Sequence, residues 1–303
     1  MRFSVWPDPG RPTDEVLDLA RFADDLGWYG FWFADHYMPN TGSEEIKPGD
    51  VHEVWSVLPA VAAVTEKVRI GPLVSPTSVH HPAILANRAA TLDHVSHGRF
   101  VLGLGAGWQI NEHAAYGIAL EPPKQRVDRF EEAIQICRSL LDEDRTTFAG
   151  EYYTITDAPS DPSPVQERLP ILVGTGGSRM LRITARHAQE WNTWGAPALA
   201  GEKRSDFEAA CERVGVDPGS LATSVQALFF MTDDPERLEQ IASGPMGDRS
   251  IAGSNEQIID AIGAYRDQGY DEVIVPDFTL GRDAEARRDA YAKFNDEIAS
   301  AFT

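Results

Sequence analysis

The sequence predicts an α/β fold, a (β/α)8 TIM barrel that occupies residues 1–303 as one domain. Short apolar runs alternate eight times with longer segments of helical period, and several of these runs are continuously apolar, as in parallel strands buried on both faces. The length is also suitable, since such barrels need about 250 residues. A doubly wound open sheet is the alternative, but the first turn, Pro7-Asp8-Pro9-Gly10, lacks the Gly-x-Gly-x-x-Gly pattern of that fold.

Eight segments rich in β-branched, aromatic and aliphatic residues are the predicted strands. They are residues 2–6, 29–33, 68–74, 99–104, 170–174, 190–194, 223–230 and 272–277. In a barrel of this kind the active site lies at the carboxyl ends of the strands. The polar residues that directly follow each strand are therefore the candidates for function.

Amphipathic segments lie between these strands. Residues 14–26 carry one apolar stripe, with Thr13 as the predicted N-cap and Gly27 as the stop. Pro82 is predicted to open a helix that ends near Gly98. The other predicted helices are 126–141, 178–187, 255–268 and 284–302. The surplus length forms insertions at the carboxyl face, namely 34–53, 107–125 and 142–169.

The composition excludes several classes of partner. The chain has 27 Lys and Arg against 47 Asp and Glu, a formal charge of -20, which repels nucleic acid and anionic lipid. Its apolar stretches are shorter than the roughly 20 residues of a membrane helix, and its first residues are typical of a strand rather than a signal peptide. Two cysteines, Cys137 and Cys211, argue against a disulfide framework. We therefore expect a cytoplasmic protein that acts on a small molecule.

The ends of the second and third predicted strands carry polar groups. Asp35 and His36 follow the second strand, where one can bind the polar edge of a ring and the other can move a proton. A turn cap and a solvated histidine are the structural alternative. After the third strand, the hydroxyls of 75–78 can bond a phosphate or heterocycle, or cap the next helix. The neighbouring His80 and His81 point opposite ways on extended chain and make a poor metal pair.

Glycine-rich segments follow the fourth and fifth strands. Residues 103–107, Gly-Leu-Gly-Ala-Gly, would let a planar ring approach the backbone, although glycine also relieves crowding at a barrel rim. Residues 174–179, Gly-Thr-Gly-Gly-Ser-Arg, open a helix, so backbone N–H groups, the helix dipole and a cation combine as an anion site. A tight turn that requires glycine is the alternative here.

In combination these segments resemble the bacterial luciferase-like monooxygenase family, in its branch of coenzyme F420-dependent oxidoreductases. The resemblance covers about residues 1–278. It is carried by Phe31-Trp32-Phe33-Ala34-Asp35-His36, by the stretch 71–93, by Ser96-x-Gly98-Arg99-Phe100-x-Leu102-Gly103-x-Gly105, by Gly174-x-Gly176-Gly177 and by Ala185-Arg186-His187-Ala188-x-x-Trp191-Asn192. It implies a bacterial luciferase-like barrel that binds a deazaflavin or flavin at the carboxyl ends of its strands.

The resemblance also implies roles for individual residues. His36 would be the catalytic histidine that supplies or accepts a proton. The implied cofactor-binding residues are Asp35, Ser75, Ala106, Gly107, Asn111, Gly174, Thr175, Gly176, Gly177, Arg179 and Met180. Trp108 stands where sugar-phosphate dehydrogenases of the family have a catalytic Glu, so that activity does not carry over, and Trp108 is expected to wall the substrate pocket. A non-prolyl cis peptide is expected near Pro72-Leu73.

The expected function is therefore that of an oxidoreductase using coenzyme F420 for hydride transfer to or from a small organic substrate, as a homodimer or larger homo-oligomer. An FMN-dependent luciferase-like monooxygenase is the first alternative. A non-catalytic flavin-binding protein would keep the glycine loops without a proton donor. A metal-dependent barrel hydrolase would need ligands such as Asp35, His36, His80 and Asp277, but no ligand spacing supports it, and no metal is expected.

Overall fold

A ring of parallel strands surrounded by helices forms the centre of the computed structural model, which describes residues 1–302. The strands are β1 (Arg2–Trp6), β2 (Gly30–Phe33), β3 (Arg69–Pro72), β4 (Ser75–Pro76), β5 (Leu102–Gly105), β6 (Arg145–Ala149), β7 (Thr154–Pro159), β8 (Ile171–Gly174), β9 (Glu190–Trp194), β10 (Ala222–Gln226), β11 (Leu228–Met231), β12 (Ser250–Gly253) and β13 (Glu272–Pro276).

The helices alternate with the ring strands along the chain. They are α1 (Thr13–Asp25), α2 (Val54–Val64), α3 (Pro82–Val95), α4 (Ile110–Ala115), α5 (Pro123–Asp142), α6 (Ser178–His187), α7 (Pro197–Val214), α8 (Pro235–Ser243), α9 (Asn255–Asp267) and α10 (Ala284–Glu297). Short 3₁₀ turns lie at Pro218–Ser220, Gly247–Arg249, Asp277–Thr279 and Ala299–Phe302. Within residues 1–302, no helix combines the length and apolar character needed to cross a membrane.

The hydrogen-bonded order of the ring is β3-β2-β1-β13-β10-β9-β8-β5-β4, with parallel neighbours throughout. β3 lies within the third predicted strand, 68–74, and β4 directly follows that segment, so together they fill one strand position of the ring. β4 pairs with β5, and a parallel bridge between Ile70 and Phe100 joins β3 to the chain just before β5. The ring is therefore nearly closed with eight strand positions in the described chain, so the (β/α)8 barrel is confirmed and the open doubly wound sheet is wrong.

The core has two layers because each ring strand is covered on both faces. Outside the ring, side chains such as Phe31 and Val173 pack against apolar stripes of the helices, including Leu58 of α2. Inside the ring, a smaller cluster contains Trp6, Trp32, Ala34, Leu73, Val101, Leu172 and Ile274. Burying a large apolar side chain stabilises a fold by about 1.5–3 kcal/mol, so these layers supply the main stabilisation.

The amino-terminal end of the ring is closed by charged residues that pair with one another. Arg69 at the start of β3 forms an ion pair with Glu190 at the start of β9. The Trp32 indole Nε1 donates to Glu272 Oε1 at 2.8 Å. Burial raises the pKa of Glu272 above its ordinary value. These contacts stabilise the amino-terminal end of the ring, and the active site of such a barrel lies at the opposite, carboxyl end.

The structure differs from the sequence predictions in the insertions and near the last strands. The predicted strand 223–230 divides at Ala227, because β11 leaves the ring to pair with β12. The insertion 142–169, expected to be a loop, contains the antiparallel hairpin β6–β7, in which Thr146 pairs with Ala158. Helices α2, α4, α7 and α8 lie in segments to which the sequence analysis assigned no helix.

Two local predictions are corrected and a third is confirmed. Thr13 is not the N-cap of α1 but its first residue, because Pro12 adopts the extended capping conformation and its carbonyl accepts from Val16 N–H. Gly27 ends that helix with φ +73°, as predicted. The non-prolyl cis peptide is Leu73–Val74, one residue later than the expected Pro72-Leu73 position.

Candidate functional site

The candidate site lies at the carboxyl ends of β2, β4, β5 and β8. These strands are neighbours around the ring, with β3 linking β2 to β4, so the segments that follow them share one half of the barrel mouth. Asp35 follows β2, Ser75 begins β4, Ala106 follows β5 and Gly174 ends β8. The predicted site residues, scattered over 145 positions from Asp35 to Met180, are thereby brought to one edge.

Asp35 is the centre of a buried polar cluster, with 1% of its surface exposed. Its Oδ2 accepts from Ser75 Oγ at 2.6 Å and lies 2.8 Å from His80 Nε2. Its Oδ1 is equally buried and has no hydrogen-bond partner among residues 1–302. A buried carboxylate oxygen without a donor is costly, so this atom fits a ligand that brings an N–H or O–H group.

His80 joins this cluster, although the sequence suggested it only as a metal ligand of the hydrolase alternative. His81 faces the other way, where its Nδ1 accepts from Ala83 N–H at the start of α3. The opposite directions agree with the expectation for neighbouring residues on extended chain. His80 is identified as a site residue by its contact with Asp35, which lies 45 positions away in the sequence. No sequence pattern predicts that contact.

His36 is held by Glu112 of α4. Its Nδ1 lies 3.0 Å from Glu112 Oε1, and the N–H of Tyr37 donates to Glu112 Oε2 at 2.9 Å. The Trp108 ring stands edge-on to the imidazole, with centroids 5.4 Å apart. The imidazole side chain is 23% exposed, whereas Glu112 is 2% exposed. His36 is thus oriented from within the protein and open on another side.

Asn111 holds the insertion that carries His36. Its Nδ2 donates to the carbonyls of Pro39 at 2.8 Å and Glu45 at 3.3 Å. The preceding Gln109 likewise donates from Nε2 to the carbonyl of Met38 at 2.9 Å. Both amides therefore fix the loop 34–53 against α4. The implied role of Asn111 as a cofactor contact stays a prediction, and its observed bonds show a structural role.

The glycines in β5 and just after it are explained largely by packing within the protein. A Cβ on Gly103 would lie 1.9 Å from the Pro72 carbonyl oxygen, and one on Gly105 would lie 2.7 Å from Val74 Cγ2. Gly107 has φ +88°, and a Cβ there would lie 2.0 Å from Ser78 Oγ. For these three positions, relief of crowding at the rim is the correct interpretation. A Cβ at any of these positions would clash with neighbouring atoms of the protein.

The start of α6 is different, because Gly177 faces open space. Thr175 N–H donates to the Asn192 carbonyl at 3.1 Å, which anchors the turn after β8. Gly177 is the N-cap with φ -80°, no side chain caps the helix, and a Cβ on Gly177 would meet nothing within 4 Å. Neither backbone conformation nor protein packing requires glycine at 177. The first N–H groups of α6 are accessible to an anion.

Arg179, the predicted cation of this site, already has two acidic partners. It forms ion pairs with Asp128 and Glu131 of α5, and these hydrogen bonds raise the pKa of its guanidinium. Met180 places its side chain in the outer core. Lys203 of α7 lies against Gly176, and its Nζ is 3.8 Å from the position that a Cβ would take there. The sequence predicted no role for Lys203. It forms no ion pair with the rest of the described chain.

The four residues considered as metal ligands do not form one cluster, although Asp35 and His80 contact each other. Asp35 bonds His80, His36 bonds Glu112, and Asp277 forms an ion pair with Arg11 at 3.0 Å. Residues 1–302 contain no group of three or more His, Cys, Asp or Glu side chains arranged to hold a metal ion. This arrangement gives no support to the metal-dependent hydrolase alternative.

The sequence matches a known protein family and several curated relatives. The model of the family described as luciferase-like monooxygenase matches residues 1–252. A curated relative from Kineococcus radiotolerans, named F420-dependent glucose-6-phosphate dehydrogenase, is 35% identical over 173 residues, which are 57% of this chain and 50% of that protein. The chain thus matches about half the length of the first curated relatives.

Two solved structures share the fold. The coenzyme F420 dependent tetrahydromethanopterin reductase from Methanopyrus kandleri superposes with a TM-score of 0.82 at 19% identity, over 100% of this chain and 99% of that one. The oxygenating constituent of 3,6-diketocamphane monooxygenase from Pseudomonas putida, in complex with FMN, gives a TM-score of 0.76 at 18% identity, over 99% and 98%. At these identities the likeness establishes the barrel type.

Proposed function

Because this chain belongs to the luciferase-like monooxygenase family, we propose that it is an oxidoreductase that uses coenzyme F420 for hydride transfer to or from a small organic substrate. The observation that carries the proposal is the buried Asp35 Oδ1, which lacks a donor among residues 1–302 at the carboxyl face of the barrel. The hydroxyl and N–H groups at the edge of a deazaflavin ring are donors of the required kind. The relatives named as F420-dependent dehydrogenases support the same choice.

Two groups of residues would hold the cofactor. Asp35 and Ser75 would bind the polar edge of the ring. Gly176, Gly177 and the open N-terminus of α6 would bind its phosphate, with Lys203 as the neighbouring cation. Ala106, Gly107, Asn111, Gly174, Thr175, Arg179 and Met180 complete the proposed surroundings. The uncapped N-terminus of α6 and the unpaired oxygen Asp35 Oδ1 lie on the same rim of the barrel. Together they fit a long ligand that has a polar ring at one end and an anionic chain at the other.

The bound deazaflavin would supply a hydride carrier, so the protein has to orient the substrate and move one proton. His36 is the proposed proton donor or acceptor, because its imidazole is partly exposed at the same face and is fixed by Glu112. An imidazole can both accept and donate a proton, which suits both directions of the reaction.

The substrate would lie on the other half of the barrel mouth. Trp6 ends β1, Trp194 ends β9 and Phe278 follows β13, with ring centroids of Trp6 5.4 Å from Trp194 and 5.1 Å from Phe278. Trp108, 55% exposed, would wall the pocket from the α4 side. These aromatic surfaces support a small organic substrate, and sugar-phosphate oxidation is not proposed.

We also propose that the protein works in the cytoplasm as a homodimer or larger assembly. Cys137 and Cys211 are both unpaired and buried, which suits a reducing compartment. The formal charge of -20 supports a small-molecule partner over nucleic acid or anionic membrane.

Separate fluorescence titrations with coenzyme F420 and with FMN test the cofactor assignment. We expect the wild type to bind F420 more tightly than FMN, and Asp35→Asn to weaken F420 binding about tenfold or more because the amide offers one acceptor fewer. Tighter binding of FMN would favour the FMN-dependent monooxygenase instead. Binding without turnover of any alcohol, aldehyde or ketone in a broad panel would favour a non-catalytic flavin-binding protein.

A further inference from the structure

Glu112 is a buried carboxylate whose two oxygens both serve the segment after β2. Oε1 lies 3.0 Å from His36 Nδ1, and Oε2 accepts from the N–H of Tyr37 at 2.9 Å. The Glu112 N–H donates in turn to Asn111 Oδ1 at 3.0 Å. With 2% of its side chain exposed, Glu112 has exchanged water for these partners. Its position is therefore determined by the loop that carries His36.

The chemistry of these partners determines the proton on His36. An ionised carboxylate only accepts hydrogen bonds, and a backbone N–H only donates them. Glu112 Oε2 therefore accepts the hydrogen bond from the Tyr37 N–H, and Glu112 Oε1 requires a hydrogen on His36 Nδ1. A neutral imidazole that carries its hydrogen on Nδ1 has a free lone pair on Nε2. The nitrogen available for proton transfer is then Nε2.

We propose that Glu112 is a positioning residue that fixes the tautomer and the orientation of His36, so that Nε2 is the nitrogen offered to the substrate. The inference rests on the proposed role of His36 in proton transfer. Trp108 supports it, since its ring stands at 85° to the imidazole and limits rotation from another side. The carboxylate would also stabilise the imidazolium whenever Nε2 holds the proton, as in catalytic pairs of this type.

The variant Glu112→Gln tests this assignment because it keeps the volume and changes one acceptor into a donor. The Tyr37 N–H still requires an acceptor, so the amide oxygen stays there and the amide NH₂ faces His36 Nδ1. Nδ1 must then accept, and the imidazole must carry its hydrogen on Nε2. Long-range ¹H–¹⁵N correlation spectra at pH 8 report the tautomer directly, and loss of the signals in His36→Asn assigns them.

The matched control is Glu132→Gln. It alters another carboxylate outside the site that accepts backbone N–H groups, those of Glu151, Tyr152 and Tyr153. We expect the Nδ1–H tautomer of His36 in the wild type and in the control, and the Nε2–H tautomer in Glu112→Gln. A wild-type spectrum with the Nε2–H tautomer would overturn the proposal even if the variant failed to fold. An unchanged tautomer in a folded Glu112→Gln would overturn it as well.

Cofactor titration separates this inference from the proposed function. We expect the Kd for coenzyme F420 to stay within about twofold in Glu112→Gln, while kcat at saturation falls about 10²-fold or more with any substrate the wild type turns over. A normal kcat in the variant would contradict the positioning role. Failure of the wild type to bind F420 would instead refute the proposed function and leave the measured tautomer of His36 to decide the role of Glu112.

Discussion

Gly177→Asp should weaken the binding of coenzyme F420 without harming the fold. Gly177 has φ -80° and ψ 134°, which any residue adopts, and a Cβ would meet nothing within 4 Å. Aspartate is among the preferred N-cap residues, and a negative charge at a helix N-terminus is favourable by about 0.3–1 kcal/mol. The melting temperature should therefore stay the same or rise slightly while binding is lost.

The size of the binding loss follows from charge repulsion. Two unit charges about 5 Å apart repel by about 1 kcal/mol in water and by about 3 kcal/mol at an effective dielectric constant of 20. These energies correspond to about 5-fold and about 140-fold in Kd at 1.4 kcal/mol per tenfold. Because Gly177 is at the surface, a loss of about 10- to 100-fold is expected. The new carboxylate would also compete for the N–H groups of the first turn of α6.

Gly177→Asn is the matched control, because asparagine has the size of aspartate and also caps helices but carries no charge. Fluorescence titration with coenzyme F420 gives Kd for the three proteins, and circular dichroism gives their melting temperatures. The difference between Asp and Asn should shrink as salt is added, since screening shortens the range of the repulsion. A Kd for Gly177→Asp within twofold of the wild type would place the phosphate elsewhere, and equal losses for Asp and Asn would make the effect steric.

Three further perturbations have definite outcomes. His36→Ala should lower kcat by about 10²–10⁴-fold with a much smaller change in the F420 Kd, and a near-normal saturated rate would leave His36 as a binding residue. Lys203→Gln should weaken F420 binding several-fold, measured by the same titration, and an unchanged Kd would remove Lys203 from the phosphate site. Asp24→Asn should destabilise the fold by about 2 kcal/mol at pH 7. Burial favours the neutral acid, but N–H donors of Val68, Lys67 and Glu66 lower the pKa of Asp24, so its stabilisation is present above the ordinary carboxyl pKa and is lost in acid. The melting-temperature difference from wild type should accordingly shrink as the pH falls below about 4, and a constant difference would contradict this reasoning.

The strands of the ring were predictable because each corresponds to a short, continuous run of apolar residues. The run at β9 was predicted at its observed bounds, Glu190–Trp194, and β8 within one residue. Burial on both faces selects continuous apolar residues, so a few neighbours in sequence suffice to reveal a strand. Where a strand leaves the ring, as β11 does after Ala227, the pattern stays the same although the partner changes. The sequence therefore could not divide 223–230.

The glycine-rich segments show what local pattern leaves open. Glycine at 103 and 105 and glycine at 177 look alike in sequence, yet the first two avoid Pro72 and Val74 and the third faces free space. The difference depends on how close the third strand comes at Leu73–Val74, a property of the closed ring. Only the tertiary structure could assign the former to packing and show that the latter faces free space.

The sequence by itself determined which polar residues follow the strands, and hence that Asp35, His36 and the start of α6 share the carboxyl face, because parallel strands all end at the same edge. The tertiary structure decided their partners. Glu112 meets His36 across 76 positions, and Lys203 comes beside Gly176 from a separate helix while Arg179 is paired elsewhere. Such contacts depend on the path of the insertions and on helix packing around the ring, which side-chain periodicity along one segment does not encode.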